Sequence, residues 1–281
     1  MTKEHITPDM VKQWKAAIPV PLPTVFDANF LLIGESGSGK TRFCSTFPRP
    51  FFVDTDKGLE SIPFPVGSTT VIEGTHTRTK VREGMHLWGT GWLSLMQKVD
   101  KIGALMDKGE WPYDTLVFDS LTTLQELAMN SVLRTALASN RYKHGDPIDP
   151  GLWGAQMNLI QGLVAEVRQW PGLKVFTAHI QKDTNTVTET VEKMALVTGK
   201  LAGKLPLYFA EVYFTQVEVG PAPAGLRKYT LRTYSDTVHR GARTRMDLPM
   251  GSEQDFKRAI WPLYVDRVHK RSLEVDIPSL I

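Results

Sequence analysis

Short apolar runs alternate with amphipathic stretches along most of this chain. Phe30-Leu31-Leu32-Ile33, Phe51-Phe52-Val53, Leu116-Val117-Phe118 and Val175-Phe176 are apolar at every position and bounded by polar or turn residues, the pattern of strands buried on both faces. Strands of that kind belong to a parallel sheet. Between them Trp92, Leu95, Val99, Ile102 and Met106 recur at helical spacing, as do Leu121, Leu124, Leu127, Met129 and Leu133, and later Leu159, Leu163 and Val167. The alternation predicts an α/β fold with a mostly parallel central sheet, flanked by helices and joined by right-handed crossovers.

Past residue 205 the pattern changes. Glu211-Val212-Tyr213-Phe214-Thr215 and Lys228-Tyr229-Thr230-Leu231-Arg232-Thr233 enclose the loop Gly220-Pro221-Ala222-Pro223-Ala224-Gly225, predicting a C-terminal antiparallel hairpin that extends one sheet edge. Near the start, Thr7 and Pro8 open a short predicted helix over 7–17, followed by the extended Pro19-Val20-Pro21-Leu22-Pro23. The expected organisation is an N-terminal arm and Pro-rich linker over 1–25, one α/β domain over 26–250, and a C-terminal helix and tail over 251–281. The seven tryptophans do not cluster with basic residues as a base-stacking platform would, and read as packing residues.

Composition removes several classes of chemistry. With 281 residues, 42% hydrophobic and 22% charged, the chain has ordinary globular usage and is long enough to bury a sizeable core. Cys44 is the one cysteine, which excludes a disulfide framework and a thiolate zinc cluster and suits a reducing cytoplasm. No stretch approaches the ~18 apolar residues of a membrane span, and MTKEHITPDM lacks a secretion core, so a cytoplasmic protein with no membrane partner is expected. The net charge of +3, from 33 basic and 30 acidic residues, implies no polyanion by itself.

The strongest chemical signal is Gly34-Glu35-Ser36-Gly37-Ser38-Gly39-Lys40-Thr41, which fits G-x-x-x-x-G-K-[ST] between a predicted strand and a predicted helix. Small residues let the backbone wrap a phosphate chain with its N–H groups turned inward, and the following helix adds its positive end. Lys40 then serves the β- and γ-phosphates, Thr41 a Mg²⁺ ion, and Arg42 closes the nucleotide-contacting stretch. Asp119, at the end of Leu116-Val117-Phe118-Asp119, is the candidate second metal-side group; the alternative is a cap on the helix near Leu121. Asp54 and Asp56 follow Phe51-Phe52-Val53, and because strand side chains alternate they cannot both point at one ligand. Asp56, nearer the outer end, is the candidate that orients the attacking water, with a solvated acid as the alternative. His179 ends Leu173-Lys174-Val175-Phe176-Thr177-Ala178 and could meet the γ-phosphate or its water; a structural histidine is the alternative, and Gln181 is the reserve.

These strand ends resemble the RecA-like P-loop ATPase core. Val53-Asp54-Thr55-Asp56, Phe118-Asp119-Ser120 and Thr177-Ala178-His179-Ile180-Gln181-Lys182 stand in the order that family uses for its catalytic acid, its magnesium-side acid and its γ-phosphate sensor. The short segment Thr41-Arg42-Phe43-Cys44-Ser45-Thr46-Phe47, cut by Pro48, is similar to phage-encoded, AAA-type members linked to single-strand annealing and recombination. The resemblance spans residues 28–245 and implies hydrolysis of ATP with Mg²⁺, catalytic roles for Lys40, Asp56 and His179, and single-stranded DNA, a second copy of the chain and a single-strand-binding protein as candidate partners. The chain departs from RecA itself in carrying Asp56 for a glutamate and His179 for a glutamine.

In such proteins the segment after the sensor strand is a loop that touches single-stranded DNA. Here residues 182–199 are polar and Thr-rich and read as an exposed, adaptable loop, which makes Lys182, with Lys200 and Lys204, the DNA candidates; a β-hairpin without a ligand is the alternative. Arg243 and Arg245 close a basic stretch with Arg227, Lys228, Arg232 and Arg240, and the resemblance makes them candidate phosphate contacts, in trans as an arginine finger or on DNA. A solvated charge run is the alternative. His76, Arg78, Lys80, Arg82, His86 and Trp88 form a basic and aromatic insertion, either a substrate loop or a solvated excursion. The competing reading is a KaiC-like nucleotide-gated assembly ATPase without nucleic acid. A small-molecule kinase is disfavoured because no Arg-rich lid is evident, and a GTPase because N-K-x-D is absent.

Overall fold

The computed structural model describes residues 27–56, 71–72, 87–111, 113–184, 189–220 and 226–266. The helix expected at 7–17, its Pro-rich linker, the basic insertion from His76 to His86, the hairpin loop over 221–225 and the tail beyond 266 lie outside the described residues.

Strand β1 (Ala28–Gly34) lies inside a nine-stranded sheet. The other strands are β2 (Pro50–Asp54), β3 (Val71–Ile72), β4 (Thr115–Asp119), β5 (Leu173–Thr184), β6 (Val191–Ala195), β7 (Glu211–Val219), β8 (Arg227–Arg232) and β9 (Ser252–Glu253). The order is β3-β2-β4-β5-β1-β7-β8-β9, with β6 paired to the outer half of β5. From β3 to β7 the pairings along this order are parallel, and β8 and β9 are antiparallel, as the hairpin reading expects.

Every residue of β2 and β4 is buried, because helices cover both faces of the sheet. Alternation sorts the strand side chains into two layers. Leu31, Ile33, Phe118 and Phe176 face helices α2 (Leu87–Asp107), α3 (Leu121–Ala138) and α4 (Pro150–Val167), with Phe118 and Phe176 stacked at 4.7 Å. Helix α1 (Lys40–Cys44) was introduced by the glycine-rich loop and belongs to the opposite layer, where Phe30, Leu32, Phe52, Val117 and Val175 meet Phe43, Phe47 and Phe256. Each such side chain contributes about 1.5–3 kcal/mol when fully buried. Ser120 caps α3 by accepting from Thr123 N, and Asp149 caps α4 by accepting from Gly151 N at 2.6 Å, with Pro150 at the first helical position.

Two expectations about the second half of the chain need correction. The segment 182–199 is in large part strand and not loop: β5 runs on to Thr184 and pairs with β6 from Ile180↔Ala195 to Thr184↔Val191, forming a two-stranded ribbon, while 189–190 and 196–199 are irregular. Threonine and valine favour extended backbone, Ile180, Met194 and Ala195 pack the base of the ribbon on the core, and Lys193 bonds to the backbone of Val238 and Arg240. The sheet and core also continue past residue 250. β9 pairs with β8, and Phe256, in a π-helical turn over Phe256–Ile260, packs 4.5 Å from Phe47.

Among the described residues no helix is long and apolar enough to cross a membrane. Between β1 and β2 the chain passes over β5 and β4, so the crevice at the C-terminal ends of these parallel strands is where an open α/β sheet places its ligand.

Candidate functional site

The glycine-rich loop is shaped by close approach on both flanks. A Cβ on Gly34 would lie 2.0 Å from Thr215 Oγ1, and Gly39 has φ +91° with a would-be Cβ 2.5 Å from Gln254 Oε1 and 2.8 Å from the Tyr229 ring. Only glycine fits either position. Ser38 Oγ and Thr215 Oγ1 share a 2.7 Å hydrogen bond, and Gln254 Nε2 donates to Ser38 O at 3.0 Å, so β7 and the residue after β9 fasten the loop. Glu35, Ser36 and Gly37 form its exposed tip. The buried Lys40 ammonium donates to Gly34 O at 2.9 Å and Glu35 O at 3.0 Å. Burial lowers its pKa, against the opposing pull of Asp119 and Asp56.

β4 delivers Asp119 to the same place, opposite Asp54 of β2 in register and 1% exposed. Its Oδ2 accepts from Thr41 Oγ1 at 2.6 Å, and its Oδ1 accepts from Thr177 Oγ1. Burial raises the Asp119 pKa despite these two bonds. The helix cap that was the competing role belongs to Ser120 instead. Among the described residues no three His, Cys, Asp or Glu side chains group as a metal cage. Thr41 and Asp119 offer hard oxygen donors, which suits Mg²⁺, an ion that takes one or two protein oxygens and completes its shell with phosphates and water. They are the residues that would hold it.

A carboxylate whose native pKa is raised costs stability once the pH exceeds its unfolded value, and that cost is complete above the native pKa. Asp119→Asn should therefore leave the ligand-free protein at least as stable as wild type at pH 7. It should lose the Mg²⁺-dependent part of nucleotide stabilisation, a share of the total of about 2.7 kcal/mol that a ligand at a hundredfold its Kd confers. Thermal melts with nucleotide, with and without Mg²⁺, measure both effects.

Asp56 lies just past β2. Thr55 N and Asp56 N both donate to Asp119 O, at 2.7 and 3.3 Å, which ties the two strand ends together. Asp56 Oδ1 accepts from Ser120 Oγ at 3.1 Å and from Thr123 Oγ1, while Oδ2 lies 3.1 Å from His179 Nε2. Burial pushes the Asp56 pKa up, but the hydrogen bonds from His179, Thr123 and Ser120 prevail and hold it below the usual carboxylate value. An ionised carboxylate only accepts, so Nε2 is the ring nitrogen that carries the proton. His179 pairs with Gly34 in the β1–β5 register, and its backbone N donates to Thr122 Oγ1 at 3.0 Å. Asp54 is buried and accepts from Asp56 N at 3.0 Å.

Lys40, Thr41, Asp119, Asp56 and His179 thus meet at one sheet edge. Sequence reasoning missed Thr177, Ser120, Thr123, Thr215, Tyr229 and Gln254. Thr177 had a signal, standing two residues before His179 and so on the same strand face. The last three come from distant elements and had none.

The remaining candidates have other surroundings. Lys182, on the β5–β6 ribbon, pairs with Glu35 of the loop tip at 2.8 Å, and this bond lowers the Glu35 pKa. Lys200 and Lys204 are exposed at the two ends of helix α5 (Leu201–Lys204). Arg243 bridges Val212, level with Leu31 and below the loop, and its Nη2 donates to Pro206 O at 2.8 Å and to Phe209 O. That nitrogen is engaged by backbone carbonyls of the same fold, while Nε is buried without a hydrogen-bond partner among the described residues. Arg245 is exposed, with its backbone N bonded to Glu211 Oε1 at 2.9 Å. Arg232 pairs with Asp236 at 2.5 Å and Arg240 with Glu192 at 2.6 Å, so much of the basic stretch is neutralised locally.

Comparison with known proteins gives three findings. The family described as AAA domain matches residues 27–245. No curated protein matches the sequence. Among solved structures, the flagellar accessory protein FlaH from Methanocaldococcus jannaschii is similar at 10% identity and a TM-score of 0.35, over 77% of this chain and 81% of that one.

Proposed function

The chain belongs to the AAA domain family, and from that premise we propose that it binds ATP with Mg²⁺ and hydrolyses it, coupling nucleotide state to a grip on single-stranded DNA that promotes annealing or strand pairing in phage recombination. The observation that carries the ATPase reading is the meeting of the Gly34–Thr41 cradle with Asp119, hydrogen-bonded to Thr41, and with the Asp56–His179 pair.

In this reading Lys40 exchanges the carbonyls of Gly34 and Glu35 for phosphate oxygens. Thr41 and Asp119 would hold Mg²⁺, which would supply positive charge against the phosphates. Asp56 is ionised and fixed on one oxygen by Ser120 and Thr123, so it orients the attacking water and accepts a proton from it as the water oxygen bonds to the γ-phosphorus and the bond to the leaving diphosphate breaks. His179 steadies the carboxylate through its Nε2 proton. The DNA part is supported by the position of the β5–β6 ribbon, which continues β5 past His179 and, through Lys182 and Glu35, is joined to the loop tip, so that a change at the nucleotide can reach an exposed surface.

One observation favours the second reading, a nucleotide-gated assembly ATPase without nucleic acid: Arg232, Arg240 and Arg243 are all bonded inside the fold. Phosphate release with and without a single-stranded oligonucleotide, alongside ATP-dependent oligonucleotide binding across a salt series, separates the two. Stimulation of turnover and binding that weakens steeply with salt are expected for the DNA reading. No binding at about 50 mM salt, where phosphate contacts are strong, would overturn it.

A further inference from the structure

We propose that Thr177 is a positioning residue for the metal side of the site: its hydroxyl locks the Asp119 carboxylate so that Oδ2 stays turned toward Thr41. This rests on the reading of Thr41 and Asp119 as the pair that would hold Mg²⁺, and it adds the residue that keeps one of them in place.

The strand pattern puts Thr177 where it can do this. β4 and β5 run parallel, with Val117 opposite Val175 and Phe118 opposite Phe176, so Asp119 and Thr177 come level one step further on. Alternation sends Phe118 and Phe176 to the layer of α2, α3 and α4, and Val117 and Val175 to the layer of α1. Asp119 and Thr177 follow the two valines, and so face the side from which α1 presents Thr41. Leu32, paired with Thr177 on β1, lies in the same layer.

The carboxylate is held from two elements. Thr41 Oγ1, on α1, donates to Oδ2 at 2.6 Å, and Thr177 Oγ1, on β5, donates to Oδ1. The main chain is fixed separately: Asp119 O accepts from Thr55 N at 2.7 Å, from Asp56 N at 3.3 Å and from Thr55 Oγ1 at 3.1 Å. With the backbone pinned, the rotation of the side chain is what remains to be set, and two hydroxyls on different oxygens set it.

The two hydroxyls divide the work. Each has one proton to donate and lone pairs besides. Thr41 gives its proton to Oδ2 and keeps its lone pairs for the ion, whereas Thr177 bonds the other oxygen and holds the plane of the carboxylate. Asp119 and Thr177 are both buried, so an Oδ1 that lost this donor would be an unpaired acceptor inside the protein, which is costly enough to turn the carboxylate toward another partner. Outer partners of this kind orient the groups that bind metals, and losing one typically costs about 10–100-fold in metal affinity.

The test is titration of the full chain with a non-hydrolysable ATP analogue, in EDTA and across a Mg²⁺ series. It separates the affinity for nucleotide from the Mg²⁺ concentration that half-saturates the metal's effect on it. Thr177→Val keeps the β-branched shape and drops the hydroxyl. It should raise the half-saturating Mg²⁺ concentration about 10–100-fold and leave the affinity in EDTA within about twofold of wild type. Thr177→Ser should restore the wild-type response to Mg²⁺. Equal losses with and without Mg²⁺ would make Thr177 a prop for the whole cradle and overturn the proposal. A serine variant as weak as the valine one would overturn it as well, as would a Thr177→Val chain that fails to fold, since the hydroxyl would then serve the fold. If wild type and Thr177→Val respond to Mg²⁺ alike, the role of Thr177 fails and the metal pair stands; if wild type binds the analogue with no response to Mg²⁺, the pair itself fails and takes the proposal with it.

Discussion

Asp56→Asn should lower the rate of phosphate release by about 10²–10⁴-fold, the usual worth of a positioned general base, while Mg-ATP affinity stays within a few-fold. Asparagine keeps an oxygen to accept from Ser120 and Thr123, so the local geometry survives. It cannot take a proton from water and cannot hold His179 as an anion does. Wild-type Asp56 is ionised at neutral pH because the bonds from His179, Thr123 and Ser120 outweigh the effect of burial. A lowered native pKa also fixes the sign of a stability effect. The contribution of Asp56 is present above the unfolded carboxylate pKa and is lost as the pH falls through the lower native value. The stability gap between wild type and Asp56→Asn, measured by denaturant titration, should therefore close on acidification. An unchanged rate in the variant would mean that another group positions the water.

Lys40→Ala should reduce Mg-ATP affinity by about 10²-fold or more. Two charge-assisted hydrogen bonds to phosphate oxygens contribute about 1.5–3 kcal/mol each, and about 1.4 kcal/mol is a tenfold change. The fold should tolerate the change. Burial already disfavours the Lys40 ammonium, as its lowered pKa records, so deleting it removes that cost along with its bonds to Gly34 O and Glu35 O. A melting temperature near that of wild type, with ATP binding lost, is the expected pair of results. A large fall in the melting temperature would assign Lys40 to holding the loop together.

The phosphate loop was legible in the sequence because it is one contiguous stretch whose chemistry is local: Gly34 and Gly39 for close approach, Lys40 and Thr41 for charge and metal. The apolar runs ending at Ile33, Val53, Phe118 and Phe176 also stood out, since burial on both faces leaves no polar alternation to confuse them. The partners were not legible. Asp56 and His179 are 123 residues apart, Ser38 and Thr215 are 177 apart, and Ser38 and Gln254 are 216 apart, so these contacts depend on strand order, which no local pattern encodes. The ribbon was misread for a different reason. Lys182, Asp183 and Thr184 are exposed, and a polar strand end without an apolar period looks like a loop until the pairing with β6 is seen. The backbone contacts of Arg243 were hidden too, because charge density along the chain says nothing of which carbonyls lie beneath a side chain.

The most direct test of the central claim is equilibrium titration of the wild-type chain and of Lys40→Ala with a non-hydrolysable ATP analogue, with and without Mg²⁺. One analogue bound per wild-type chain, more tightly with Mg²⁺ and at least about 10²-fold more weakly in the variant, is the predicted result. No binding by wild type, or equal binding by the two proteins, would contradict it.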